Sequence, residues 1–229
     1  MKGSKLFAWV FILFLMGTTA QAQTETRTPG SFNRVNSSGS WDVIIAIGNK
    51  DEVRLVSQDF DLDKVITEVE DGNLEIKLEK GNHRNVNFTA YVTVRDLKAV
   101  GLGGSGNISL ESDISSKSFS IGSSGSGNIL IPYLETGALN VGMSGSGKVK
   151  INGGSSNSAN IGQSGSGSFD ALELMAGDVK IGKSGSGATS IGVSGDLRVG
   201  ASGSGNVYIK GNPTSQSIGS SGSARIIRK

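Results

Sequence analysis

The chain has 229 residues, 35 of them glycine, and no cysteine. A disulfide framework is therefore excluded, and so is an anchor that lipidates an amino-terminal cysteine. Its 22 basic and 20 acidic residues nearly balance, so charge gives no reason to expect nucleic acid or an anionic membrane surface as partner.

Residues 1–22 read as an export signal. Lys2 and Lys5 precede an apolar run from Leu6 to Met16, and Ala20-Gln21-Ala22 forms a small-residue cleavage pattern. The run is too short to span a bilayer, so no membrane span is expected after cleavage. Loss of the two lysines leaves the remainder formally neutral. The expected location is outside the cytoplasm: periplasm, cell surface or medium. Residues 23–31 read as a flexible leader, and residues 32–229 as one all-β domain.

Within that domain, residues 32–99 are strand-rich but irregular. Val35, Ser38-Gly39-Ser40, Val43 and Ile45 keep the spacing of the repeats that follow, with Trp41 in place of a glycine, so this is a divergent first copy. Further strands are predicted at Trp41–Ile47, Glu52–Ser57, Val65–Glu70, Leu74–Leu78 and Val86–Val94, and Asp71-Gly72 suits a tight hairpin turn. Most of the acidic residues lie in this part.

From residue 100 to 229 the sequence repeats. VGLGGSGNI begins at Val100, IGSSGSGNI at Ile121, VGMSGSGKV at Val141, IGQSGSGSF at Ile161, IGKSGSGAT at Ile181, VGASGSGNV at Val199 and IGSSGSARI at Ile218. Seven copies at a period of roughly 20 residues predict a solenoid, each repeat stacked on the last. Apolar columns lie two residues before each copy (Phe119, Leu139, Ala159, Val179, Leu197) and two residues after it (Leu110, Ile131, Ile151, Ala171, Ile191, Ile209). This is the period-2 pattern of strands, and it predicts a β-helix-like solenoid. A helix is unfavourable because each glycine would cost about 1 kcal/mol there. The rival arrangement is an antiparallel meander with SGSG as hairpin turns.

Strand parity turns the motif glycines inward: Gly125 and Gly127, Gly145 and Gly147, Gly165 and Gly167, Gly185 and Gly187. Glycine there would let two walls of the coil approach, or permit a bend with φ > 0. The serines Ser124 and Ser126, Ser144 and Ser146, Ser164 and Ser166, Ser184 and Ser186 turn outward. Stacked at about 4.8 Å, they form a candidate surface ladder. The last copy is altered: Gln216 and Arg228 stand in apolar columns, Ala224 replaces a motif glycine, and Arg225 and Lys229 add charge. A polar terminal repeat of this kind discourages edge pairing.

Chemistry finds little support in the residues. Gly101 to Gly106 matches GxGxxG, but a strand-like Asn107–Leu110 follows where a dinucleotide site needs a helix. Calcium coils place an aspartate in the glycine-rich turn; here Asp113, Asp170, Asp178 and Asp196 occupy different columns. Glu135, Asp170 and Glu173 are the candidate acids for polysaccharide cleavage, with no shared position marking a cleft. His83 lies in the polar turn 80–85, and no histidine stands beside the serines to activate them. No metal or cofactor is expected. Tyr133 and Tyr208 are candidate solvent-facing aromatics, whereas Phe119 and Phe169 fall in core columns. The connections Pro132–Gly137, Asn152–Ser158, Leu172–Gly177 and Lys210–Ser215 vary, as specificity loops do. The most apolar of them holds Leu172, Leu174 and Met175.

An export signal, the opening FNRVNSSGSWDVII, the segment VEDGNLEIKL and the φGxSGSGxφ repeats together resemble the head GIN domain family of bacterial envelope proteins, described as autotransporter adhesins. The resemblance runs over essentially all of the chain after the signal. It implies a β-helix-like fold and export. No stretch reads as a translocator barrel, so the expectation stays with an exported surface or periplasmic protein. The leading function is a non-enzymatic binding or structural module of the cell envelope, an adhesin whose surface ligand is a glycan or a protein. The alternative class is a carbohydrate-active enzyme, a polysaccharide lyase or hydrolase on the same scaffold. Self-association into a homo-oligomer is a further expectation, because stacked serine-glycine strands can polymerise.

Overall fold

The computed structural model describes residues 22–229, and the stretch read from the sequence as an export signal lies outside these residues except for Ala22. Gln23–Arg27, read from the sequence as a flexible leader, is strand β1, antiparallel to β4 (Glu52–Ser57). Arg27 fixes it there: its guanidinium pairs with Glu25 and donates to the carbonyl oxygens of Leu62, at 2.8 Å, and Val65. Strands β2 (Arg34–Ser37) and β3 (Asp42–Ile47) lie between β1 and β4 in the chain. A single 3-10 turn at Leu62–Lys64 precedes β5 (Val65–Glu70), β6 (Asn73–Leu78) and β7 (Phe88–Val94). The β5–β6 hairpin turns at Asp71-Gly72, both with positive φ, as the sequence predicts.

The regular part continues with β8 (Ala99–Leu102), β9 (Ile108–Leu110), β10 (Ile114–Ser123), β11 (Ile129–Ile131), β12 (Leu134–Gly145) and β13 (Lys148–Ile151). It ends with β14 (Gly154–Gly165), β15 (Ser168–Gly185), β16 (Thr189–Val193), β17 (Asp196–Gly203), β18 (Val207–Lys210), β19 (Ser215–Gly222) and β20 (Ile226–Arg228). Every pairing among these strands is parallel, and column meets column: Ile121 opposite Val141, Val141 opposite Ile161, Ile161 opposite Ile181. The meander is thereby excluded and the stacked coil is the fold.

Each 20-residue coil contributes three paired segments, one more than the motif reveals. Ile114–Ser116 pairs with Leu134–Thr136, then with Gly154–Ser156 and Leu174–Ala176. The stretches read as variable connections at Pro132–Gly137, Asn152–Ser158 and Leu172–Gly177 therefore each carry a buried side of the coil, with Leu134 and Leu174 fully buried. Their composition hides this because Gly154 stands in the column of Leu134 and Leu174. Phe119 and Phe169 are fully buried, as expected, in a continuous apolar interior. Each such side chain contributes about 1.5–3 kcal/mol by leaving water.

The stacking order departs from the chain order at the amino-terminal end. Strand β6 lies parallel to β2 with Leu74 opposite Val35, and β7 lies parallel to β3 with Val92 opposite Ile45. In turn β2 and β3 lie on β8 and β9, with Val35 opposite Val100 and Val43 opposite Ile108. Residues 34–47 are thus a true coil, as the divergent-copy reading expects. A further coil made of β6 and β7 sits outside it, although it comes later in the chain. Strands β4 and β5 cover that outer coil in antiparallel fashion. The wider amino-terminal interior is filled by aromatics: Trp41 stacks on Phe88 at 4.8 Å, and Phe60 on Phe88 at 5.9 Å. No helix among the described residues is long and apolar enough to cross a membrane.

Candidate functional site

The glycines of the repeat divide into two classes with opposite physical reasons. The pair read as inward builds the corner, but only its second member is buried (Gly127, Gly147, Gly167, Gly187), while Gly125, Gly165 and Gly185 are half-buried and Gly145 is exposed. The N–H groups of Ser166 and Gly167 both donate to the carbonyl of Gly145, at 3.0 and 2.8 Å, and Ser186 and Gly187 do the same to Gly165. A β-carbon on Gly165 would lie 2.6 Å from that Gly145 oxygen, and the residue adopts φ +103°. One on Gly167 would lie 2.4 Å from the Gly147 oxygen, and Gly127, Gly147 and Gly187 are equally crowded. The close neighbour is the same glycine of the coil beneath, and not an opposite wall of the same coil as the sequence suggests. Strands climb about 4.8 Å per coil, and the corner closes to that rise only without side chains.

The outward class is Gly101, Gly122, Gly142, Gly162, Gly182, Gly200 and Gly219, the second residue of each copy. A β-carbon on Gly142, Gly182 or Gly219 would meet nothing within 4 Å. Glycine weakens a strand, and nothing inside the molecule demands it at Gly142, Gly182 or Gly219, whereas at Gly101 the Asn36 side chain fills the space. The column keeps the outer surface bare, as at sites where a ligand comes close to the backbone.

This column is the floor of an open trench of about 900 Å³, lined along one side by Ser124, Ser144, Ser164 and Ser184. Across the glycines, the other side carries Ser120, Asn140 and Asn160, which line an adjoining depression with Gly101, Gly122 and Gly142, and Lys180 and Arg198, exposed in the same row. Asn36 and Glu75 occupy the glycine column in the first coils and close one end; the Asn36 amide lies directly over Gly101 and donates to Asn73 Oδ1 at 2.9 Å. From Gly101 to Gly182 the floor runs four coil steps, about 19 Å, and Gly200 and Gly219 line a separate depression beyond it. All eight serines of the candidate ladder are exposed. Ser144, Ser164 and Ser184 stack in register on the trench side. Ser126, Ser146, Ser166 and Ser186 lie beyond the corner glycine, where Ser186 Oγ stands 3.1 Å from Ser204 Oγ.

The third residue of each of the first six copies points inward: Leu102, Ser123, Met143, Gln163, Lys183 and Ala201. Lys183 is 5% exposed, and its ammonium donates to the carbonyls of Gly187 at 2.5 Å and Gly205 at 2.7 Å. Burial pushes its pKa below the usual lysine value. In the coil before it, Gln163 donates to Gly167 and Ala188 carbonyls and accepts from the Thr189 hydroxyl. Motif reading passes over Lys183 because its composition is that of a surface residue. Alternation alone marks it: it lies two residues after Ile181, on the inward parity.

The candidate catalytic residues are not brought together. Asp170 pairs with Lys148 at 3.2 Å and Glu173 with Lys210, while Glu135 sits on the outer face of another coil. His83 is half-buried, edge-on to Phe60, with its Nε2 2.9 Å from the Glu79 carbonyl. Asp178 and Asp196, expected in different columns, stack in adjacent coils, where Asp178 Oδ1 accepts from the Asp196 N–H at 3.0 Å. No cluster of three or more His, Asp or Glu able to hold a metal occurs among the described residues. Gly101–Gly106 runs into strand β9, so it offers no helix terminus to a phosphate. Tyr133 is 42% exposed, whereas Tyr208 is half-buried beneath Lys229.

Solved structures share this architecture. A putative adhesin from Bacteroides fragilis superposes with a TM-score of 0.85 at 22% identity, covering 92% of this chain and 98% of its own. A putative adhesin from Parabacteroides merdae gives 0.72 at 18% identity, covering 91% and 96%. A protein from Parabacteroides distasonis, described as a putative lipid binding protein, gives 0.67 at 22% identity, covering 90% and 96%. These likenesses establish the fold. No curated protein matches the chain. The family model described as putative auto-transporter adhesin, head GIN domain, matches residues 31–213, most of the chain, and it is to this family that the protein belongs.

Proposed function

We propose that this protein is an exported, non-enzymatic binding module of the bacterial cell envelope, an adhesin that lays an extended ligand along its glycine-floored trench. The observation that carries the reading is the outward glycine column, repeated over successive coils where the fold itself would accept a side chain. Serine hydroxyls and asparagine amides on the two walls both donate and accept hydrogen bonds. Sugar hydroxyls do the same, and a glycan chain meets this wall repeatedly as the coils rise by about 4.8 Å each. The hydroxyl and amide walls favour a sugar chain over an acyl chain. Export rests on Lys2, Lys5, the Leu6–Met16 run and Ala20-Gln21-Ala22.

The test is a glycan and matrix-protein array probed with the wild type and with Gly142→Leu/Gly162→Leu, whose leucines fill the trench without touching the interior. Glycan binding by the wild type, lost in the variant at an unchanged melting temperature, is expected. Equal binding by the variant, or no glycan signal from the wild type, overturns the trench reading. Sequencing of the exported material is expected to begin at Gln23; an intact Met1 on membrane-bound protein overturns the export reading.

A further inference from the structure

We infer that the two ends of the solenoid are complementary, so that a second copy of this chain docks head to tail, carboxy-terminal coil against amino-terminal end. This goes beyond the trench and does not depend on it.

The first observation is topological. The sheet stops on the same two sides at both ends of the stack. On one side the terminal strands are β5 and β19; on the other they are β1 and β20. Among the described residues, β5 pairs only with β6, β1 only with β4, β19 only with β17, and β20 only with β18. Each therefore has one edge without a partner strand, although on β5 the Val65 carbonyl already accepts from Arg27. Strands β6, β2, β8 and onward to β19 all run in one direction, and β5 runs opposite to them. A copy stacked along the axis thus meets β5 with its β19 in antiparallel fashion. On the second side two antiparallel steps, β7 to β4 to β1, restore the direction, so β20 meets β1 in parallel.

The second observation is charge. The segment that closes the amino-terminal end exposes Asp59, Asp61, Asp63, Glu68, Glu70 and Asp71 and holds Lys64 as its one base, with Lys77 of the adjoining β6 paired to Glu68 at 3.3 Å. After Asp196 the chain holds no acid, and its final coil exposes Arg225, Arg228 and Lys229. Like ends repel and unlike ends attract, which rules against tail-to-tail pairing and selects the heterologous contact. The altered last repeat thus acts against its own kind and in favour of the acidic end.

The third observation is apolar. Ile218, in the column of Val199, is 44% exposed, because no coil covers it. On the opposite end the partly buried Val69 of β5 points to the same interior, opposite Leu74. A heterologous contact of this kind does not close on itself unless a rotation intervenes, so the expected products are short open chains that lengthen with concentration.

Sedimentation velocity tests this with the purified protein. Surface charges are screened within about 10 Å at 0.1 M salt and within about 3 Å at 1 M, so association is expected at low ionic strength and loss of it at high. Arg225→Glu/Arg228→Glu and, separately, Asp59→Lys/Asp63→Lys/Glu68→Lys/Glu70→Lys are each expected to be monomeric, since the first makes both ends acidic and the second makes both basic. An equimolar mixture of the two variants is expected to associate again, because each end then meets its opposite. That rescue also shows that both variants are folded. A wild type that stays monomeric at low salt, variants that associate as the wild type does, or a mixture that stays monomeric would overturn the inference.

Discussion

The ammonium of Lys183 spans two coils, 2.5 Å from the Gly187 carbonyl of its own coil and 2.7 Å from that of Gly205 in the next. It faces no carboxylate at that point, so its burial is compensated by backbone dipoles alone. Lys183→Met keeps the stem and removes the donor, leaving two buried carbonyls short of a partner, at a cost of about 1–3 kcal/mol. The pH dependence has a definite sign. A folded-state pKa below the unfolded value of about 10.4 means that the unfolded chain binds more protons in that window. Stability of the wild type over Lys183→Met is therefore expected to grow as pH rises from neutrality toward 10. Urea unfolding of both proteins at pH 7 and pH 10 measures it, and a gap that narrows would contradict the assignment.

Glycine changes two or three residues apart are expected to have opposite signs. Gly145→Ala places a β-carbon 2.5 Å from the Gly125 oxygen at φ +123°, and a loss of about 3 kcal/mol or more is expected. Gly142→Ala meets nothing within 4 Å and is expected to stabilise by about 0.4–1 kcal/mol, chiefly by restricting the unfolded chain. Ser166→Ala, exposed, should lie within about 0.5 kcal/mol of wild type. Thermal melts of the three decide it; a damaging Gly142→Ala would mean that the floor has a structural duty.

Trp41→Gly would restore the repeat motif to the first coil and is nevertheless expected to be harmful. The indole is 4% exposed and stacks on Phe88. Its removal opens a large cavity, at a cost of about 3–5 kcal/mol. Unfolding by guanidinium chloride is the measurement, and a variant as stable as the wild type would show that regularity of the corner outweighs packing.

The Asp51–Arg95 contact sets part of the acid response. The Arg95 side-chain hydrogen bond, aided by the Arg95 backbone N–H and by charge, holds the Asp51 carboxyl below the usual aspartate range, against its own desolvation. A depressed carboxyl contributes stability above its unfolded value of about 3.9, lost as pH falls through the folded pKa. Because Arg95 is 55% exposed, the effect should stay within about 1 kcal/mol. Asp51→Asn is expected to lose less stability than wild type between pH 5 and pH 2, read from melts across that range; a steeper loss in the variant would overturn this.

By itself, the sequence determined everything that depends on periodicity. Valine and isoleucine every second residue, and the same nine-residue motif roughly every twenty, predict a stacked coil that buries all columns together, and the parallel pairing excludes the rival meander. The same parity predicts inward glycines and outward serines; the serines are exposed, but of each glycine pair only the second is buried, because the chain turns its corner at the first. What parity cannot carry is contact between residues without a repeating pattern. The third side of each coil was hidden because Gly154 and Leu174 share a column yet look unrelated. The placement of β6 and β7 outside β2 was hidden because stacking order depends on which edges remain free and not on chain order. Strand β1 was hidden because it is held by a single arginine reaching carbonyls nearly forty residues away. The trench, too, is a tertiary fact. The letters show a glycine in each copy, but only three dimensions show that one glycine touches the backbone beneath it and another touches nothing.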